Sequence, residues 1–145
     1  MKNPLRSMPL VGALLIALSG TDAAAWQATT TPGSVAVAHA ETLAAPTAAS
    51  AVSSCESIIL GPQVTVNWTA TNSLFASGYD IRRSTTNGGP YALVGSVAGR
   101  TTVTFTDTTV TGSKTTYYYA VRARHLTWSG TDSNQASATT PALCL

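Results

Sequence analysis

A chain of 145 residues has room for one domain of roughly 100 residues with a core of its own, plus a tail. Only 10% of the residues are charged and the formal net charge is +2, too little to drive binding to nucleic acid or to an anionic membrane. Thr, Ser, Ala and Val are abundant, and repeated short runs of Val and Thr favour β-structure over helix.

In chain order, Lys2 and Arg6 form a positive start, residues 9–19 are apolar, and Ala23-Ala24-Ala25 supplies a small-residue cleavage pattern after Asp22. The apolar run is shorter than the roughly 20 residues that a membrane span needs. Residues 1–25 are therefore expected to be a signal peptide, and membrane contact is expected only if that segment stays uncleaved. Cleavage removes two of the eight basic and one of the six acidic residues, leaving a nearly neutral protein. Residues 26–44 are Thr-, Ala- and Ser-rich with a Pro32-Gly33 turn signal, and read as a flexible tether or, over residues 34–39, as one short extra strand. His39 has no second ligand type at metal-site spacing.

From residue 45 onward, turn signals and strand runs alternate as in an all-β sandwich of seven antiparallel strands. The first strand is expected over residues 46–52, at an edge because Pro46 cannot donate to a ladder. The second, residues 64–68, points Val64, Val66 and Trp68 inward; the third, residues 79–83, points Tyr79 and Ile81 inward. Asn87-Gly88 or Gly89-Pro90 turns the chain into residues 91–97, and residues 102–106 follow with Val103 and Phe105 inward. Thr115–Ala123, with three consecutive tyrosines, fits a strand whose Tyr117, Tyr119, Val121 and Ala123 face the core. The opposite face then carries Tyr118, Ala120, Arg122 and Arg124, where a charge costs least. Residues 135–139 close the fold.

These motifs, in this order, resemble a fibronectin type III domain, an immunoglobulin-like sandwich, and above all the versions in secreted bacterial proteins. The segments are Val64-Thr-Val-Asn-Trp68, Gly78-Tyr-Asp-Ile-Arg-Arg-Ser84, Pro90-Tyr91, Thr106-Asp107-Thr108 and residues 116–123. The resemblance spans residues 45–141 and implies that Trp68 sits in the core and that Tyr117 forms the "tyrosine corner", its hydroxyl bonding back to the preceding loop. That loop, residues 110–115, lacks the family's common Pro-Gly and is one residue longer. Residues 20–26 are similar to the signal peptides of bacterial surface and matrix proteins.

Two cysteines in an exported chain read as one disulfide. In this topology Cys55, in the loop after the first strand, and Cys144, after the last strand, share one end of the sandwich, so the pairing is geometrically plausible.

Chemistry-bearing motifs are absent from the sequence: no nucleophile elbow, phosphate loop, His-Glu-x-x-His or Cys-x-x-Cys. His125 and Asp132 share a polar loop but have no oxyanion hole beside them, so no catalytic residue, metal or cofactor is expected. Asp80 and Asp107 read as strand-end or turn residues. Asn67-Trp68-Thr69 spells a glycosylation site but falls inside a strand.

Binding, if any, belongs to loops. Residues 70–77, with Leu74 and Phe75, and residues 124–134, with His125, Leu126 and Trp128, are expected at the end opposite the disulfide; these side chains form a sugar or protein surface or else plug the core. Arg82, Arg83, Arg122 and Arg124 are expected on one solvated sheet face. The sequence thus points to an exported, monomeric, non-catalytic adhesion or interaction module whose partner is a protein or glycan at the cell surface. The alternatives are a carbohydrate-associated accessory domain and a structural subunit of an extracellular matrix or filament.

Overall fold

The computed structural model describes residues 24–28 and 38–145, and every element among them is a β-strand. The signal segment up to residue 23 and the Pro32-Gly33 turn lie outside the described residues. β1 (Ala24–Ala28) spans the expected cleavage point and pairs antiparallel with β2 (Ala38–Thr42), Ala24 opposite Thr42.

The sandwich has a three-stranded and a five-stranded sheet. The first is β3 (Thr47–Ser57), β4 (Gly61–Thr69) and β7 (Thr104–Asp107), in the order β3-β4-β7. The second contains β5 (Gly78–Ser84), β6 (Ala92–Ala98), β8 (Thr116–His125), β9 (Trp128–Asp132) and β10 (Ala136–Thr139), in the order β10-β8-β5-β6 with β9 also on β8. Inward positions follow the two-residue period of extended chain. Val64, Val66, Trp68, Tyr79, Ile81, Tyr117, Tyr119, Val121 and Ala123 are all buried. Trp68 meets Tyr79 edge to face with ring centres 5.3 Å apart, a favoured aromatic geometry.

Several details depart from the sequence expectations. The first strand runs five residues beyond Val52, so Cys55 is in β3 rather than in a loop. Val103 is exposed, because it precedes β7 and contributes only its carbonyl, to the Trp68 amide. Phe105 is half-buried, its ring lying where a Cβ on Gly95 would sit. The packed unit begins at Leu43, which is 2% exposed and rests on Gly130; a Cβ there would come within 2.4 Å of the Leu43 carbonyl.

The sandwich has eight strands where seven were expected, because the last is broken in two. β10 pairs with Thr116–Tyr119 and β9 with the Arg122–His125 end of β8. At the break, the Ser133 amide donates to the Val121 carbonyl and the Ser133 hydroxyl accepts the Val121 amide, so β8 loses no bond. Asn134 then reaches the other sheet, where β3 has an irregularity between Thr47 and Ser50 and Ala48 adopts φ 51°. The Asn134 carboxamide accepts from the Ala49 amide and donates to the Ala49 carbonyl, each at 2.9 Å. One side chain therefore satisfies both backbone groups that the irregularity frees. Asn134→Ala should destabilise the fold by about 1–3 kcal/mol, read as a lower denaturant midpoint at unchanged slope.

The disulfide Cys55–Cys144 joins β3 to the stretch after β10, with Cα atoms 5.4 Å apart at a sequence separation of 89. Cross-linking a loop of that length restricts the unfolded chain and typically contributes about 2–4 kcal/mol.

Candidate functional site

The β4–β5 loop and the β8–β9 turn meet at the end of the sandwich opposite the disulfide. Ser77 ties them together: its amide donates to the Arg124 carbonyl at 2.8 Å, and its hydroxyl accepts the Leu126 amide at 3.3 Å. Residues 124–134 are thus a hairpin with a two-residue turn at Leu126-Thr127 rather than the expected loop; Leu126 takes the left-handed φ of 52° that such turns require. Phe75 and Trp128 pack against the core, and the His125 ring stands edge-on to Phe75 at 5.8 Å. Leu74 and Leu126 project from the two loops at 81% and 76% exposure.

His125 and Asp132 are not brought together as a reacting pair. They sit at opposite ends of the β8–β9 pairing, His125 facing Trp128 and Asp132 facing Arg122. Asp132 accepts from Arg82 at 2.8 Å and from Arg122 at 2.9 Å. Arg124 lies 3.5 Å from Asp80, which also accepts the Ser96 hydroxyl. These three arginines share the outer face of the five-stranded sheet with two carboxylates, so the face is a mixed-charge lattice. Tyr91 lies beside it, its phenol raised above the ordinary value by burial and by the nearby Asp132 charge, with Arg82 opposing.

Arg83 departs from the expected cluster. Alternation after Tyr79 and Ile81 turns it inward, where it donates to Asp107 at 2.7 Å and to the Thr109 hydroxyl at 2.9 Å, stacked 5.1 Å over the Tyr117 ring. Asp107 is 1% exposed and also accepts from the Thr109 amide and hydroxyl and from the Tyr119 hydroxyl at 3.0 Å. Its turn bond to Thr109 was legible in the sequence; its partnership with Arg83 was missed, although the 79-81-83 and 105-107 alternation carries the signal. Burial alone would push the Asp107 carboxyl up. The bonds from Thr109, Arg83 and Tyr119 outweigh burial and hold it below the ordinary 3.8. Burial, and then the Asp107 charge, push the Tyr119 phenol far above its usual range. Tyr117 makes the corner, donating to the Thr111 carbonyl and accepting the Thr111 amide at 3.1 Å.

An open cleft of about 350 Å³ lies beside Arg83, walled by Ser84, Thr86, Pro90 and Val94. Among the described residues no three His, Cys, Asp or Glu side chains cluster as metal ligands. The arrangement supports contact through exposed surface.

A two-sheet sandwich with a buried tryptophan on its second core strand and a tyrosine corner at the start of its long central strand defines an immunoglobulin-like, fibronectin type III architecture. The chain is 32% identical to an Fn3-like protein from Clostridium thermocellum, covering 70% of this chain and 96% of that one at a TM-score of 0.56, and it belongs to the fibronectin type III family. The chicken CNTN1 FN1-FN3 domains share the fold at 18% identity and TM-score 0.55, over 74% of this chain and 35% of that one. A run of titin domains shares it at 17% and 0.50, over 83% and 49%. No family model matches the chain, and no curated protein does. Domains of this fold commonly serve as non-catalytic interaction modules.

Because the folded-state pKa of Asp107 is depressed, its contribution to stability is complete above the unfolded value of 3.8 and disappears as pH falls through the lower folded value. Asp107→Asn should cost about 2–4 kcal/mol at pH 7, less than a fully buried pair would lose because Arg83 keeps 22% exposure. The gap between variant and wild type should close below pH 3.8 in urea melts taken across that range.

Proposed function

We propose that this protein is an exported bacterial interaction module, secreted or displayed at the cell surface, which engages its partner through the end formed by Leu74 and Leu126. The observation that carries this reading is how the loop end is divided. Phe75, His125 and Trp128 are spent on packing and make a rigid base, while two leucines stand free on loops fastened by Ser77. Rigid presentation of a few apolar side chains lowers the ordering cost of binding. Export is supported by the charged-then-apolar N-terminus and by a disulfide, a bond that persists in oxidising compartments.

Two measurements test the proposal. Intact mass of the exported protein should fit a chain cut after Ala25, with its two thiols alkylated only after reduction. Leu74→Asp/Leu126→Asp should lower retention on intact cells by about tenfold while leaving the melting temperature within a few degrees of wild type. Retention equal to wild type would show that binding lies elsewhere. Capture by insoluble polysaccharide would identify the ligand as a glycan, the carbohydrate-associated reading. Concentration-dependent polymers abolished by deleting residues 26–44 would favour a matrix subunit instead.

A further inference from the structure

The disulfide end carries an apolar tip that the interaction reading does not use. In the β3–β4 turn Ile58, Ile59 and Leu60 are 72%, 91% and 65% exposed, and on either side of Cys144 Leu143 and Leu145 are 69% and 92% exposed. The two strips are held at one end of the molecule by the Cys55–Cys144 bond, with Cys55 Sγ 3.9 Å from the Leu143 carbonyl. Five exposed aliphatic side chains at one end of a sandwich are more than a monomer with no use for them ordinarily leaves in water.

Three properties of the tip narrow what it can meet. It is convex, a three-residue turn closed by Gly61 at φ 79°, so it offers no groove to a partner's side chain. Its backbone is already satisfied where it projects furthest: the Ser57 hydroxyl accepts the Ile59 amide at 3.3 Å and the Leu60 amide at 3.0 Å. Amides bound within the turn remove much of the penalty for leaving water. Its side chains are also nearly free of charge. No Lys or Arg occurs from residue 47 to residue 81 or after Arg124, and Glu56 in β3 is offset by Lys114, whose amide bonds the Pro141 carbonyl at this end.

A protein partner is ordinarily gripped by aromatic or Arg anchors within a polar rim, and the tip has none of these. A fluid acyl layer moulds itself around a convex aliphatic knob and asks for no directional bond. We propose that Ile58, Ile59, Leu60, Leu143 and Leu145 form a lipid-contact tip that inserts shallowly into an uncharged lipid surface. This adds a membrane contact to the N-terminal one expected from sequence, and it is independent of the loop-end proposal because it uses the opposite end. Inserted this way, the domain would hold Leu74 and Leu126 away from the lipid.

The test is flotation of the exported protein with phosphatidylcholine vesicles. Wild type should float with the vesicles, and Ile59→Asp/Leu143→Asp should lower the partition coefficient by about tenfold or more. Raising salt from about 0.1 to about 1 M should leave the partition unchanged, since no charge drives it. Leu74→Asp/Leu126→Asp should float like wild type. Intact mass and melting temperature report whether the tip variant keeps its disulfide and fold, and Ile59→Ser/Leu143→Ser replaces it if it does not. The proposal is overturned if wild type fails to float, or if wild type and tip variant float equally. It is equally overturned if the tip substitutions abolish a concentration-dependent dimer in solution while no vesicle binding occurs.

Discussion

Arg83 crosses from one sheet to Asp107 on the other, and Tyr119 donates its hydroxyl to the same carboxylate. Placing a charged pair inside a sandwich is expensive in desolvation, and its Coulombic gain seldom exceeds that cost by much. Its larger effect is on register. If β7 slipped by one residue against β4, Thr106 would take the inward place and Asp107 would turn to solvent. Arg83, Thr109 and Tyr119 would then lose their common acceptor together. Only the observed pairing, Val64 opposite Asp107 and Arg83 opposite Tyr119, satisfies all of them at once.

Tyrosine hydroxyls extend this arrangement to the loops. Tyr79 donates to the Arg100 carbonyl at 2.7 Å and accepts the Thr71 amide at 3.0 Å, pinning two loops from within. Tyr117 does the same for the loop around Thr111. A buried phenol must find a partner, and Tyr79 and Tyr117 find theirs on connecting segments instead of within a strand. The connections are thereby fixed to the core by hydrogen bonds in addition to the packing of Phe75 and Val110, which leaves their outward positions free to vary.

The two ends of the sandwich differ in kind as a result. At one, Phe75 and Trp128 close the core and two leucines project from short, bonded loops. At the other, a disulfide gathers a hairpin tip and the stretch after β10 into an aliphatic surface. The sheet face between them carries interleaved Arg and Asp. A fold of this type assigns no activity by itself, and what the molecule does is decided at such surfaces.

Much of the frame was legible in the residues. A run such as residues 117–124, with Tyr117 and Tyr119 on one face and Arg122 and Arg124 on the other, has one inexpensive orientation, and that orientation locates the core; the same alternation over residues 64–68 turns Trp68 inward, and the resemblance to fibronectin type III domains implied the tyrosine corner. The pairing of two cysteines was legible for a similar reason, since they leave each other as the sole disulfide partner. The break between β9 and β10 and the Asn134–Ala49 lock were not legible, because they depend on a β3 irregularity that no local preference at Thr47-Ala48-Ala49 announces. The Arg83–Asp107 pair escaped as well: an arginine is by default a surface residue until a particular carboxylate, 24 positions away, is seen to meet it. The apolar tip belongs to this second group, because Ile-Ile-Leu in a sequence reads as core. Local alternation and side-chain cost determined which residues face inward; the meeting of distant segments, set by how the two sheets close, decided which polar groups satisfy one another and which apolar ones are left in water.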